Sequence, residues 1–407
     1  MGLPEFRNLK RVTIESRRLG DIKQFFVQLL PYKDIASPVS HDVTAENVYS
    51  RLELSRKYRL ASNLSDKAKD NNINIVNAAL ELGDSVPILI TIGTSKWYDG
   101  SNYEENVAGL SELLMFEQLR HLDTRVKSVY TPGLRVGLLC EDITNKWLYG
   151  LQNDRDLVDN NNKRYIDSLG IFTHHFNQNQ NVNVSIIKET DLLSILKMNE
   201  GDYFDLCETN QKCFYEFIKK SKLNELEFLA GQREWNDLLW ARYTREILPT
   251  IEEYINLEKL GWSGGIHPRV RDYYTRQFLK STGKPMTDED WYLAGYFAGV
   301  LARRQLNFLY LALGENAIKI AFLRYPEGAL KEKQNALQIS QHPVEGFGSS
   351  HQHISPWASV TGINIGREDG KISLTVIPAK SDERNKNIDT TELGYAGITV
   401  PVPIFER

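Results

Sequence analysis

Cysteine and histidine are scarce in this chain, and long apolar runs are absent. The three cysteines among 407 residues, Cys140, Cys207 and Cys213, are odd in number and widely spaced. They fit neither a disulfide framework nor a zinc knuckle, and they suit a reducing compartment. No apolar run reaches the roughly 18 residues that span a bilayer, and the first residues lack the apolar core of a secretion signal. We therefore expect a cytoplasmic protein with no membrane partner.

A basic excess and the common nucleotide-binding motifs are also missing. The net charge of -4, from 49 Lys and Arg against 53 Asp and Glu, weighs against nucleic acid as a partner. Residues 261–265 are glycine-rich but lack the Gly-x-Gly-x-x-Gly order between a strand and a helix, and no P-loop motif is present. The sequence thus predicts neither a dinucleotide fold nor a P-loop nucleotidase.

Short apolar strands alternate with helices in the first half of the chain. Strands are predicted at residues 87–92, 134–139 and 182–187, and helices at 106–122 and 154–169. This βαβ alternation is typical of an α/β fold, with a parallel or mixed sheet covered by helices on both faces. A strand at 318–323 and three more within 335–378 follow, with a hairpin turn at Asp369 and Gly370.

These patterns divide the chain into five regions. We predict an N-terminal helical region (1–84), a first half of the α/β core (85–189), a helical insertion or lid (190–315), a second half of the core with a C-terminal hairpin (316–380) and a polar tail (381–407). The adjacent residues His174 and His175 are predicted to lie in a loop.

Three chemically useful side chains follow predicted strands, where open α/β sheets bind ligands. Lys96 could hold a phosphate or carboxylate or form an imine, or be a solvated loop lysine. Asp142 could be a general base or an anchor for a substrate amine, or cap the helix that begins near Ile143. His342 could act as an acid or base near neutral pH, or be a structural histidine.

The most concentrated group of polar and aromatic side chains occupies the 18 residues from 340 to 357, in a chain with only eight histidines. It consists of Ser340, His342, His351, His353, Ser355 and Trp357, and much of it lies in a predicted loop at 345–355. His351 and His353 would share one side of an extended chain, which is half of a metal site, but no third ligand is evident and no metal is predicted. Arg304 lies on an otherwise apolar predicted helix, where it could bind a phosphate or reach out of the side of the helix to solvent or to a carboxylate.

The order of motifs in two segments, 86–170 and 317–378, resembles the pyoverdine/dityrosine biosynthesis family, which contains the isocyanide (isonitrile) synthases. In the first segment the matching positions are Lys96, Asn102, Glu112, the turn from Tyr130 to Gly133, and Asp142. In the second they are Tyr325-Pro326, Ile339 to Pro343, Ser355 to Trp357, and the hairpin at Asp369-Gly370.

The resemblance implies a Rossmann-like α/β enzyme that converts an amino-acid amine to an isonitrile. The added carbon comes from ribulose 5-phosphate, so an amino acid and a phosphosugar are the expected partners, with no metal or redox cofactor. Lys96, Asp142 and His342 would be catalytic. Substrate binding would fall to Asn102, Glu112, Arg304, Gln338, Ser340, His351, His353, Ser355 and Trp357.

Two positions depart from the family pattern. Gln338 stands where the family has an arginine, and Ala358 replaces a histidine after Pro-Trp. Glutamine cannot form a charged bidentate contact with a carboxylate or phosphate, and alanine cannot transfer a proton. The alternatives are therefore a condensing enzyme or transferase acting on another activated substrate in the same pocket, or a non-catalytic binding protein.

Overall fold

The computed structural model describes about half of the chain. The described residues are 43–53, 64, 66–94, 107–151, 154–193, 198–220, 317–321, 336–338, 361–368, 371–378, 389–395 and 398–406, with single residues at 291, 295, 298, 299 and 302. The helices are α1 (Ala45–Leu52), α2 (Asp66–Leu82), α3 (Leu110–Lys127), α4 (Asp142–Gly150), α5 (Arg155–Asn179), α6 (Glu189–Leu193) and α7 (Glu200–Lys220). The strands are β1 (Val86–Ile92), β2 (Leu134–Cys140), β3 (Asn183–Lys188), β4 (Ile318–Ala321), β5 (Leu337–Gln338), β6 (Thr361–Glu368), β7 (Lys371–Pro378), β8 (Asp389–Tyr395) and β9 (Ile398–Glu406).

The first five strands form one parallel sheet in the order β3-β2-β1-β4-β5. Its central strand β1, VPILITI, is mostly buried, as expected for a parallel strand covered on both faces. The order is that of the Rossmann fold, in which the sheet grows outward in one direction from β1 and then in the other. The predicted α/β fold is confirmed, and the point where the order reverses lies between β1 and β4.

The last four strands form a separate sheet in the order β7-β6-β9-β8. The predicted hairpin at Asp369 and Gly370 is confirmed, because Glu368 pairs with Lys371 and the antiparallel ladder runs on from there. The strands predicted to form a parallel or mixed sheet thus form two sheets, one parallel and one mixed.

The segment predicted as a polar tail, 381–407, contributes β8 and β9 instead. Val400 and Val402 in β9 are fully buried, although Pro401 and Pro403 alternate with them. The prolines pair only with β8, since β6 pairs with β9 from Ile404 onward. A strand tolerates proline where no neighbour needs its N–H, so Pro401 and Pro403 are compatible with a paired strand.

Helix α3 is buried on more than one side. Every residue from 110 to 119 is buried, polar as well as apolar. The helix contacts β2 of the parallel sheet and also β6 and β9 of the second sheet. One continuous core therefore includes Val86 of the first sheet and Val400 of the second. This burial from both sides also encloses polar side chains of α3, including Glu112 and Glu117.

Helix α5 extends ten residues beyond its predicted end at 169. Asp154 caps its start, with Oδ1 accepting a hydrogen bond from the Asp156 backbone N–H at 2.8 Å. Phe172 and Phe176 continue the buried face toward the C-terminus. The predicted loop at His174 and His175 is wrong, because this apolar periodicity continues through both residues.

Only part of the predicted helical insertion is described. Helix α7 lies within it, and the isolated residues Gly295 and Gly299 are also helical. Trp147 of α4 is fully buried and donates its Nε1–H to the Gly295 carbonyl at 2.8 Å. At Gly299 an added Cβ would collide with Trp147 Cδ1. The described part of the insertion thus packs closely against the core, while the five-region division stays a prediction. None of the described helices is long and apolar enough to cross a membrane.

Candidate functional site at the carboxyl edge of the parallel sheet

The first three strands end level with one another. Ile92 pairs with Cys140, and Cys140 pairs with Lys188. Because the strands are parallel, the residues that follow each of them emerge at the same edge. This edge lies beside the reversal point of the sheet, where α/β proteins bind ligands.

Asp142 lies at this edge, at the first position of α4. Its carboxylate accepts hydrogen bonds from the Thr190 hydroxyl and, at 3.1 Å, from the Thr190 backbone N–H. Glu189 makes the converse contact, since its Oε2 accepts the Thr144 backbone N–H at 3.1 Å. A carboxylate from the start of each of these two helices, α4 and α6, thus binds a backbone N–H at the start of the other. A negative charge is favourable there, at the positive end of each helix dipole.

This arrangement places the Asp142 carboxylate at the start of α6, a different helix from the one near Ile143 that it was predicted to cap. It leaves the catalytic interpretation a prediction. Burial raises the pKa of the Asp142 carboxyl above its ordinary value, although hydrogen bonds from Thr190 oppose that shift. A raised carboxyl pKa is what a general base operating near neutral pH requires.

A buried polar network joins the ends of β1 and β2. Thr94 Oγ1 donates to Asn162 Oδ1 at 3.0 Å and accepts from Asn145 Nδ2 at 2.9 Å. Asn162 Nδ2 donates in turn to the Asp142 carbonyl at 3.0 Å. Thr94, Asn145 and Asn162 are at most 6% exposed. Sequence reasoning missed these residues, although three consecutive asparagines at 160–162, poor helix formers inside a helix, were a usable signal.

Glu112 is fully buried near the start of α3. Its Oε2 accepts from the Gly109 backbone N–H at 2.7 Å and from Ser111 Oγ at 3.1 Å. Its Oε1 accepts from the Tyr165 hydroxyl at 2.8 Å. Burial and the adjacent Glu112 carboxylate raise the pKa of Tyr165 well above its usual value, so this hydroxyl remains a donor. Glu112 therefore caps α3 and links it to α5, and its role in substrate binding stays a prediction.

The remaining predicted site residues divide into two groups. Gln338 ends β5, where it pairs with Ala321 of β4, so its backbone position on the parallel sheet is known. Those outside the described residues are Lys96, Asn102, Arg304, Ser340, His342, His351, His353, Ser355, Trp357 and Ala358. Their roles stay predictions. Within the described part of the chain, no group of three His, Cys, Asp or Glu side chains could hold a metal ion.

Comparison with known proteins finds distant matches among solved structures. No protein-family model matches this chain, and no curated protein matches it significantly. Among solved structures it is similar to the crystal structure of the PvcA protein from Pseudomonas aeruginosa, with 15% sequence identity and a TM-score of 0.48. The match covers 89% of this chain and 100% of that chain. A likeness this distant carries no argument about substrate or reaction, which depend on the residues of the site.

Proposed function

We propose that this protein is an isocyanide-synthase-like enzyme of specialised metabolism, which converts an amino-acid amine to an isonitrile with ribulose 5-phosphate as the carbon donor. One observation carries the proposal. The three residues expected to be catalytic, Lys96, Asp142 and His342, follow β1, β2 and β5 in sequence, and these parallel strands point their carboxyl ends to one edge. The motif order that resembles the isonitrile synthases supports the choice of reaction.

The proposed chemistry begins with a Schiff base. The substrate amine adds to the sugar ketone and water leaves. Proton transfers then allow both carbon–carbon bonds of the former ketone carbon to break, which releases the remaining sugar carbons and the phosphate and leaves that carbon on the nitrogen as the isonitrile. Asp142 would accept a proton, and the raised pKa of its half-buried carboxyl suits that task. Lys96 and Arg304 would bind the phosphate, and His342 would return protons.

The direct test is turnover by the purified protein. Each of the twenty amino acids is incubated with ribulose 5-phosphate, the isonitrile is sought by mass spectrometry, and released phosphate is assayed. We expect one amino acid to give both products, and we expect Lys96→Ala, His342→Ala and Asp142→Asn to abolish them. Asp156→Asn is the matched control, because Asp156 is an exposed carboxylate in the first turn of α5. Absence of turnover with every amino acid would contradict the proposal.

A non-catalytic binding protein is the second candidate. One observation favours it. The side chains of Asp142 and Glu112 both make structural contacts, since Asp142 binds Thr190 and Glu112 caps α3. Calorimetric titration with ribulose 5-phosphate distinguishes the two functions. Binding without turnover supports this second candidate. Turnover of a different activated substrate, with Gln338 in place of the family's arginine, would instead indicate a divergent condensing enzyme or transferase.

A further inference from the structure

A stripe of buried polar side chains runs along one face of α5. Asn162, Tyr165 and Ser168 recur at three-residue spacing, so they lie on the same side of the helix. Each is at most 2% exposed. A polar stripe in the core is costly unless its groups are hydrogen-bonded, and all three residues have such partners.

The first position of the stripe binds the ends of two strands. Asn162 accepts the Thr94 hydroxyl at 3.0 Å and donates to the Asp142 carbonyl at 3.0 Å. Thr94 is the second residue after β1, and Asp142 the second after β2. One amide side chain therefore sets the separation between these two strand ends.

The other two positions bind the start of α3. Ser168 Oγ accepts the Ala108 backbone N–H at 2.7 Å and donates to the Tyr165 carbonyl at 2.7 Å. The Tyr165 hydroxyl binds Glu112, which in turn accepts the Gly109 N–H. From Asn162 to Ser168 is six residues, or about 9 Å along the helix axis. The same helix face thus contacts both Thr94 and Ala108, which precede and follow the segment containing Lys96.

We propose that Asn162, Tyr165 and Ser168 form a positioning unit that fixes the end of β1, the start of α3 and Asp142 relative to one another. This inference rests on the proposed function, since it assigns the unit to the geometry of that site. The unit acts through Thr94, Glu112 and the Asp142 backbone and does not contact substrate. A displacement of about 1 Å at a reacting group can cost on the order of 100-fold in rate, so the unit controls turnover although it is buried.

The kinetic test uses Thr94 as the probe, because threonine has both an apolar and a polar near-isostere. Thr94→Val removes both hydrogen bonds to Asn162 and Asn145, whereas Thr94→Ser retains them. We expect kcat to fall about 10- to 100-fold in Thr94→Val and to remain within about threefold of wild type in Thr94→Ser. A Thr94→Val enzyme that is folded by circular dichroism and has wild-type kcat would overturn the proposal.

Asn177 supplies the matched control. It lies on the same helix and binds the Val184 backbone through both amide atoms, at 2.8 Å each, beside β3 at the opposite end of α5. Asn162→Ala is expected to lower kcat by about 10- to 100-fold, and Asn177→Ala is expected to leave it unchanged. Equal losses in the two variants would mean that any weakened hydrogen bond of α5 slows the enzyme, which excludes a specific positioning unit.

Hydrogen exchange measured by mass spectrometry tests the unit independently of any reaction. Ser168→Ala should speed exchange at the Ala108 amide, and Asn162→Ala should speed exchange in the peptide that ends β1, while Asn177→Ala should affect only the start of β3. Unchanged exchange both at the Ala108 amide and in the peptide that ends β1 would refute the positioning unit. If wild-type protein makes no isonitrile and the exchange pattern holds, the proposed function fails and the structural unit stands.

Discussion

Replacement of Glu112 separates its structural role from its predicted role in substrate binding. Glu112→Ala removes the acceptor for Gly109, Ser111 and Tyr165 in a site with no solvent exposure. Leaving the two closest donors, the Gly109 amide and the Tyr165 hydroxyl, without a partner costs about 1–3 kcal/mol each. The burial cost of the carboxylate itself offsets part of this loss. We therefore expect the free energy of unfolding to fall by about 2–4 kcal/mol. That is a large share of a typical stability of about 5–15 kcal/mol.

Urea unfolding followed by tryptophan fluorescence and by circular dichroism measures this difference, and coincident transitions would justify a two-state analysis. Glu46→Ala is the control, because Glu46 is an exposed glutamate in the first turn of α1; it should change the free energy of unfolding by about 0.5 kcal/mol or less. Combining Glu112→Ala with Tyr165→Phe should show a coupling of about 0.5–3 kcal/mol. Equal unfolding midpoints for Glu112→Ala and Glu46→Ala would refute the capping role and leave Glu112 available to a ligand.

Two further predictions concern the turn before β2 and the buried histidine. Gly133 (φ 68°) and Gly83 (φ 65°) both have left-handed backbones, so alanine should cost about 1–2 kcal/mol at either position. Of these two positions, only Gly133 would bring the new Cβ as close as 2.5 Å to another atom, Asp123 Oδ1. The melting temperature should therefore fall further in Gly133→Ala than in Gly83→Ala, and equal decreases in the two variants would contradict the clash. Burial lowers the pKa of His175 below 6.5, so the unfolded state binds the proton more readily and stability should decline as pH falls below about 6.5. His175→Leu should reduce that dependence in urea unfolding at about pH 7.5 and 5.5, and a variant with the wild-type slope would exclude His175 as its source.

The sequence alone determined the local elements and the edge on which chemistry was expected. Short apolar runs bounded by turns indicated β1 and β2, because parallel strands covered on both faces are mostly apolar. The run at 182–187 indicated β3, although that strand is more polar and partly exposed. Asp369 and Gly370 indicated the β6–β7 hairpin, because that pair supplies the backbone geometry of a tight turn. Asp142 was correctly placed after a strand, because the apolar run of β2 ends just before it. The motifs around Lys96 and His342 suggested a reaction, which only turnover can test.

Contacts between distant residues were decided by the tertiary structure. Thr94 and Asn162 are 68 positions apart, and Asp142 and Thr190 are 48 apart. These pairs form because strand register brings the ends of β1, β2 and β3 level, and no local pattern encodes that register. The valines of β9 are buried because the second sheet packs against α3, and the carboxylate of Glu112 is buried where Tyr165 of α5 contacts it. Local propensity describes each segment with its immediate neighbours, whereas burial and hydrogen bonding depend on surfaces that meet only after the chain has folded.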